Sequence, residues 1–175
     1  MNFPRILKQA TRSIEQKYFQ LDIAGGSPVY RERVYCYELY HQIRCIWPTD
    51  TKFTINGEVD KAAHPILKKS GASTSKPDFL IHRPGYMKGN YIIMEVKHTD
   101  VRTNGIEKDL CTLSKFIEDV NYKKAVYLFF GSGDVEKITQ RVTFAFHALS
   151  IKAKIDIWFH TQSGHEAFCH HQLIE

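Results

Sequence analysis

The sequence predicts a mixed α/β fold, a central sheet flanked by helices, in a single domain spanning residues 1–175. Three observations carry that prediction. A chain of 175 residues suits one core rather than two. Apolar residues recur at helical spacing near the start and in three later segments. Between them lie short apolar runs bounded by turn residues, first clustered as a meander and then alternating with helices. A hydrophobic content of 43% is ordinary for a globular protein and excludes a disordered composition.

Phe3, Ile6, Leu7, Ala10, Ile14 and Tyr18 mark a first amphipathic helix over residues 3–18. Gly25, Gly26 and Pro28 break the chain before a second helix over residues 30–46, which Trp47-Pro48 closes. One stripe of that helix carries Tyr35, Leu39, Ile43 and Ile46, and Glu32 continues it one turn earlier. A carboxylate in line with an apolar face is unusual. Residues 52–60 then predict a strand with an irregularity at Asn56-Gly57, and residues 61–76 a polar connection. A short strand, Phe79-Leu80-Ile81, follows Pro77-Asp78. Turn residues around Pro84, Gly85, Gly89 and Asn90 lead into a second run over residues 91–96, so the two runs form a hairpin. Ile106, Leu110, Leu113, Ile117 and Val120 mark a helix, and residues 125–130 a buried strand ending at Gly131-Ser132-Gly133. Val135, Ile138, Val142, Phe146 and Leu149 mark the last helix, and residues 155–159 the last strand. The expected order is α-α-β-β-β-α-β-α-β.

The formal charge of +5 is mild and permits a polyanion partner without requiring one. No stretch approaches the roughly 18 apolar residues of a membrane span, and residues 1–18 lack the apolar region of a secretory signal. Cys36, Cys45, Cys111 and Cys169 form no CxxC pair, which suits free buried thiols in a reducing cytoplasm.

The informative pattern is Pro77-Asp78, then Glu95-Val96-Lys97 on the next strand of the hairpin. Residues two apart on a strand share a face, so Glu95 and Lys97 project together while Met94 and Val96 point the other way. Pairing of the two strands brings Asp78 close to Glu95. Two crowded carboxylates repel unless a cation lies between them, and a hard divalent ion favours such oxygen ligands. Phosphodiester hydrolysis needs these parts: a metal polarises the phosphate and acidifies water, and the Lys97 ammonium holds the attacking water and offsets developing charge. A further carboxylate from a helix can take a proton or hold water. Glu32 is the first candidate for that place and Glu38 the second.

The pattern Pro77-Asp78 … Glu95-Val96-Lys97 resembles the signature of the PD-(D/E)XK nuclease superfamily, the restriction-endonuclease-like fold. The order of helix, three-strand meander, helix and strand is similar to that family's core over about residues 30–130. The resemblance implies Mg²⁺ or Mn²⁺ bound by Asp78, Glu95 and the backbone carbonyl of Val96. It implies a catalytic role for Lys97 and a place in the site for a helix glutamate, Glu32 or Glu38. Residues 31–44 and 77–85 also look like segments of uncharacterised bacterial nuclease-like proteins, some near phage-defence or mobile genes. The expected function is a cytoplasmic, metal-dependent endonuclease acting on DNA. A domain this small offers little surface for recognition, which points to a homodimer or a targeting partner.

Plainer explanations exist for each part. An acid-x-Lys triplet alone occurs on many solvated strands, and Asp after Pro is a common turn residue. Glu32 at a helix start is favoured by the helix dipole alone. Glu58 and Asp60 suit a solvated strand end. His160, His165, Cys169, His170 and His171 fit no defensible zinc spacing, and His160 and Cys169 suit buried core positions. Gly131-Ser132-Gly133-Asp134 lacks the lysine of a P-loop and suits a helix cap. Lys68, Lys69, Lys76, Arg83 and Lys88 lie on the connection and the hairpin turn, beside the expected site, while Lys123 and Lys124 precede a strand. The alternatives to a nuclease are a catalytically inactive member of the fold that binds DNA or acts as a scaffold, and an unrelated α/β protein carrying the triplet by coincidence.

Overall fold

Residues 1–58 and 76–175 are described by the computed structural model. Helix α1 (Phe3–Arg12) begins where the Asn2 side chain accepts the Arg5 N–H, with proline in the first turn. The expected helix over residues 3–18 is two helices, α1 and α2 (Gln16–Phe19). Its apolar stripe nevertheless runs unbroken, because Ile14 in the intervening turn is as buried as Leu7 within the helix. The turn is fixed from outside: Thr11 Oγ1 accepts the Ala167 N–H at 2.8 Å, and the Ile14 carbonyl accepts that of Gly164. The glycine-rich stretch read as a break is a small antiparallel hairpin, β1 (Leu21–Ile23) and β2 (Gly26–Val29). Gly25 sits between them at φ +75°, a conformation that favours glycine.

Helix α3 (Glu32–Cys45) buries Tyr35, Leu39 and Ile43 on the expected stripe. Strands β3 (Thr54–Gly57), β4 (Phe79–His82) and β5 (Asn90–His98) form the antiparallel meander. Helix α4 (Thr103–Glu118) leads to β6 (Lys124–Phe130), and α5 (Val135–Ala148) to β7 (Ile155–His160), both strands parallel to β5. An eighth strand, β8 (Phe168–Leu173), was not expected from the sequence and pairs antiparallel with β7. The six-stranded sheet has the order β3-β4-β5-β6-β7-β8.

Helices cover both faces of this sheet. Ile92, Met94, Val96, Val126, Leu128, Phe130 and Trp158 pack against α1, α2 and α3. Leu80, Ile93, Tyr127, Phe129, Ile155, Ile157 and Phe159 pack against α4 and α5. Burial on both faces explains why β6 reads as an uninterrupted apolar run rather than an alternating one. No described helix is long and apolar enough to cross a membrane.

The cysteine expectations need revision, while the one made for His160 holds. His160 is fully buried, as expected, and its Nδ1 lies 2.7 Å from the Tyr35 hydroxyl. Cys169 is not in the core: it stands exposed on β8, an edge strand with one covered face. Of the four free cysteines, only Cys36 is buried; Cys45 is exposed and Cys111 half-buried. Asp134 caps α5 by accepting the Lys137 N–H at 3.0 Å, the cap expected there. Gly131 is required by close approach, since a Cβ at that position would lie 2.8 Å from the His98 ring.

Burial lowers the His160 pKa to about 4, so the ring is neutral at physiological pH. Tyr35→Phe removes the hydroxyl from Nδ1 and leaves a buried polar atom without it. The expected cost is about 1–3 kcal/mol, read as a lower urea midpoint with an unchanged m-value.

Candidate active site

The β4–β5 hairpin brings the two expected carboxylates together. Phe79 pairs with Met94, which sets Asp78 beside the segment containing Glu95 and Val96. The Val96 N–H donates to Asp78 Oδ2 at 2.7 Å, and the Asp78 and Glu95 carboxyls lie within hydrogen-bonding contact of each other. Glu95 is buried, only 5% exposed. In an extended strand a residue's N–H and C=O project toward the same edge, so the Val96 carbonyl faces the Asp78 side of β5.

Lys97 projects on the same face as Glu95, and two further carboxylates hold it. Its Nζ lies 3.0 Å from Glu32 Oε1 and 3.4 Å from Asp109 Oδ2. Glu32 opens the first turn of α3, where the helix dipole favours a carboxylate. The apolar stripe behind it, Tyr35-Leu39-Ile43, docks α3 so that this turn overhangs the end of β5. Asp109 comes from α4 and accepts a hydrogen bond from the Tyr127 hydroxyl at 3.0 Å. Sequence reasoning missed Asp109. The signal was present: Asp109 sits in line with Ile106, Leu110 and Leu113, the same acid-on-an-apolar-stripe pattern that marked Glu32.

Glu38, the second helix candidate, lies elsewhere. It accepts a hydrogen bond from Gln42 Nε2 at 2.7 Å along α3 and does not line the cleft. Glu58 is exposed and pairs with Arg33 at 3.5 Å, while Asp60, Lys68 and Lys69 lie outside the described residues. The expectation that the hairpin turn lies beside the site is overturned. Arg83 and Lys88 sit at the opposite end of the hairpin, roughly 16 Å or more from Asp78 and Glu95 at about 3.3 Å per residue. Lys124 pairs with Ile92 near that same far end, and Lys123 precedes it.

Together these groups line a cleft of about 460 Å³, with Lys76, Lys108 and Lys115 on its walls. Lys108 and Lys115 were not anticipated; they lie seven residues apart on α4, on the stripe that also carries Cys111 and Thr112 into the cleft. A larger hollow of about 580 Å³ borders α1 at Arg5, Lys8 and Arg12, but among the described residues it holds a single carboxylate, Glu166.

The electrostatics of the cleft follow from crowding. Burial pushes the Asp78 carboxyl up to about 6, against the opposing donation from the Val96 N–H. Burial raises Glu95 well above its usual range, and the neighbouring Asp78 and Asp109 charges add to the effect. Burial opposes the Lys97 charge, but Asp109 and Glu32 outweigh it and hold the ammonium above its ordinary pKa. Lys97 is therefore a fixed cation.

No family model, curated protein or solved structure matches this chain.

The donor set suits a hard divalent cation by its chemistry. Buried Glu95 and half-buried Asp78 bring two carboxyl oxygen donors into contact. Among the described residues no three His, Cys, Asp or Glu side chains are grouped to hold a metal. A pair is what Mg²⁺ takes from a protein when the remaining positions go to water, backbone carbonyl or substrate phosphate.

Proposed function

We propose that this protein is a metal-dependent endonuclease of the PD-(D/E)XK type, hydrolysing DNA phosphodiester bonds at the cleft around Asp78, Glu95 and Lys97. The observation that carries the reading is the Lys97 ammonium, held between Glu32 and Asp109 beside the contacting Asp78 and Glu95 carboxyls. An acidic pair with one buried member next to a clamped lysine has no evident structural use, since apolar residues of similar volume would pack there at lower cost.

Asp78 and Glu95 would hold Mg²⁺ or Mn²⁺ together with the Val96 carbonyl, and the bound ion supplies a positive charge for the scissile phosphate and a more acidic water. The chain's own groups do the rest. Lys97 cannot serve as a base, because its proton is held by two carboxylates; it positions the attacking water and stabilises charge developing on the phosphate oxygens. Glu32 is the more exposed of those carboxylates and stands where it can take the proton released by that water. Asp109 is a positioning residue, anchored by Tyr127, that fixes Lys97 from the other side. Lys76, Lys108 and Lys115 line the approach and suit the phosphates flanking the cut.

The test is cleavage of supercoiled and linear DNA with Mg²⁺, with Mn²⁺ and with EDTA. Glu32→Gln is expected to lower the cleavage rate by about 10²-fold or more, in the range of lost proton-transfer catalysis. Glu38→Gln is expected to leave the rate unchanged, because Glu38 is engaged along its own helix. Equal effects of the two substitutions would remove Glu32 from the site.

A further inference from the structure

We infer that the cleft continues past Asp78 into a nucleobase pocket, so that the preferred substrate is a DNA strand with an unpaired base beside the cut. This rests on the nuclease reading for the cut, but not for the pocket. A second cavity of about 400 Å³ shares Asp78 with the acidic cleft and is otherwise different in character. Its walls are Tyr37, Tyr40, Cys36 and Phe79, with Gly57 on the β3 side. The acidic cleft offers charges for a phosphate; this one offers ring faces and apolar surface.

Three details suit a flat heterocycle. Tyr37 is 61% exposed, a large ring presented at the mouth of the cavity. Tyr40 is held as a rigid wall, stacked on Phe79 at 6.3 Å and 7°, with its hydroxyl donating to the Ile55 carbonyl at 3.4 Å. Gly57 keeps space open next to the Phe79 ring: a Cβ there would lie 3.9 Å from the ring and 3.5 Å from the Asp78 carbonyl. Its φ is outside the left-handed region, so the backbone does not demand glycine. Among the described residues the one acid besides Asp78 is Glu58, which disfavours a second phosphate there.

A base enters such a pocket only when it is out of the duplex stack. Base–aromatic stacking is tolerant of sequence and strong enough to bias binding toward single strands, frayed ends and loops. A strand whose phosphate lies at Asp78 and Glu95 has its neighbouring base within reach of the pocket, because both cavities meet at one side chain.

The experiment uses the full chain and oligo-dT, alongside a blunt duplex and a strand of abasic residues. Binding is followed by fluorescence anisotropy in EDTA, and cleavage in Mg²⁺. A 2-aminopurine placed in the strand reports stacking on a tyrosine by loss of fluorescence. Tyr37→Ala and the pocket-filling Gly57→Leu are each expected to weaken oligo-dT binding on the order of 10- to 100-fold, to abolish the quenching, and to leave duplex binding unchanged. Gly57→Ala serves in place of Gly57→Leu if circular dichroism shows the larger substitution unfolded. Oligo-dT and abasic strands bound and cut alike, or Tyr37→Ala binding as wild type does, would overturn the pocket while leaving the nuclease intact. Quenching by wild type with no cleavage under any divalent ion would overturn the nuclease and leave the pocket standing.

Discussion

On the nuclease reading, Lys97→Ala is expected to abolish divalent-dependent DNA cleavage while the protein still folds and still binds the metal. The expected loss is at least about 10³-fold, the upper range for removal of a single preorganised donor from a water-poor site. Lys97 does more than donate: it is the cation that stands among four carboxylates, and without it the approaching phosphate meets Glu32 and Asp109 unbalanced. Asp78→Ala loses cleavage to the same extent for a different reason, because it removes half of the oxygen pair. Titration calorimetry separates the two, with heat of Mg²⁺ or Mn²⁺ binding retained in Lys97→Ala and lost in Asp78→Ala. Run beside the wild type, the Lys97→Ala protein also exposes a contaminating nuclease. Cleavage that survives both substitutions would end the assignment. Metal binding without cleavage by wild type would favour a nuclease-fold protein that binds DNA for a partner.

On the same reading, Glu95→Gln is expected to make the protein inactive and more stable. The carboxyls of Asp78 and Glu95 both have raised folded-state pKa values, burial being the largest cause. A carboxyl with a raised pKa binds more protons folded than unfolded, so stability falls as pH rises through the interval between the two values and stays reduced above it. For Asp78 that interval runs from its ordinary value of 3.8 to about 6. The amide introduced by Glu95→Gln can donate to Asp78 permanently, where the acid needs a shared proton. Removing the buried Glu95 charge relieves the desolvation that raises its carboxyl, so a Tm above that of the wild type is expected at pH 8. Mg²⁺ should raise the Tm of the wild type at pH 8 and leave Glu95→Gln unmoved. The acid side carries a second signature. His160 has its folded pKa lowered to about 4, so the stability it contributes is lost as pH falls from about 6.5 toward 4. In the wild type the two trends oppose each other. In Glu95→Gln the carboxyl trend is reduced, and stability drops more steeply on acidification. A lower Tm than wild type at pH 8 would show that the acidic pair does not strain the fold.

The core of the site was legible because strand geometry is unforgiving. Glu95 and Lys97, two residues apart on a strand, must share a face, and a proline-aspartate opening the paired strand must meet them. Glu32 was legible from its place on an apolar stripe, and Asp109 was equally marked on α4. What differed was the surrounding pattern: Asp109 lies between strong apolar positions that identify a helix on their own, so the acid among them drew no separate inference. The strands β1, β2 and β8 were not legible. Each is short, lies at a sheet edge or in a two-stranded ribbon, and is mostly exposed, so neither period-2 alternation nor a buried run marks it. Likewise the turn that ends α1 is set by Thr11, Ala167 and Gly164, a contact between distant parts of the chain that no local spacing reports.

The clamp on Lys97 also orders events during synthesis. Lys97 and Glu32 are 65 positions apart, and Asp109 and its tether Tyr127 follow later still. A nascent chain that has released α3 and the hairpin from the ribosome has both carboxylates of the acidic pair, yet β5 lacks its parallel neighbour and the lysine lacks one of its two partners. On the nuclease reading, the clamp on Lys97 therefore stays incomplete until α4 and β6 have been made.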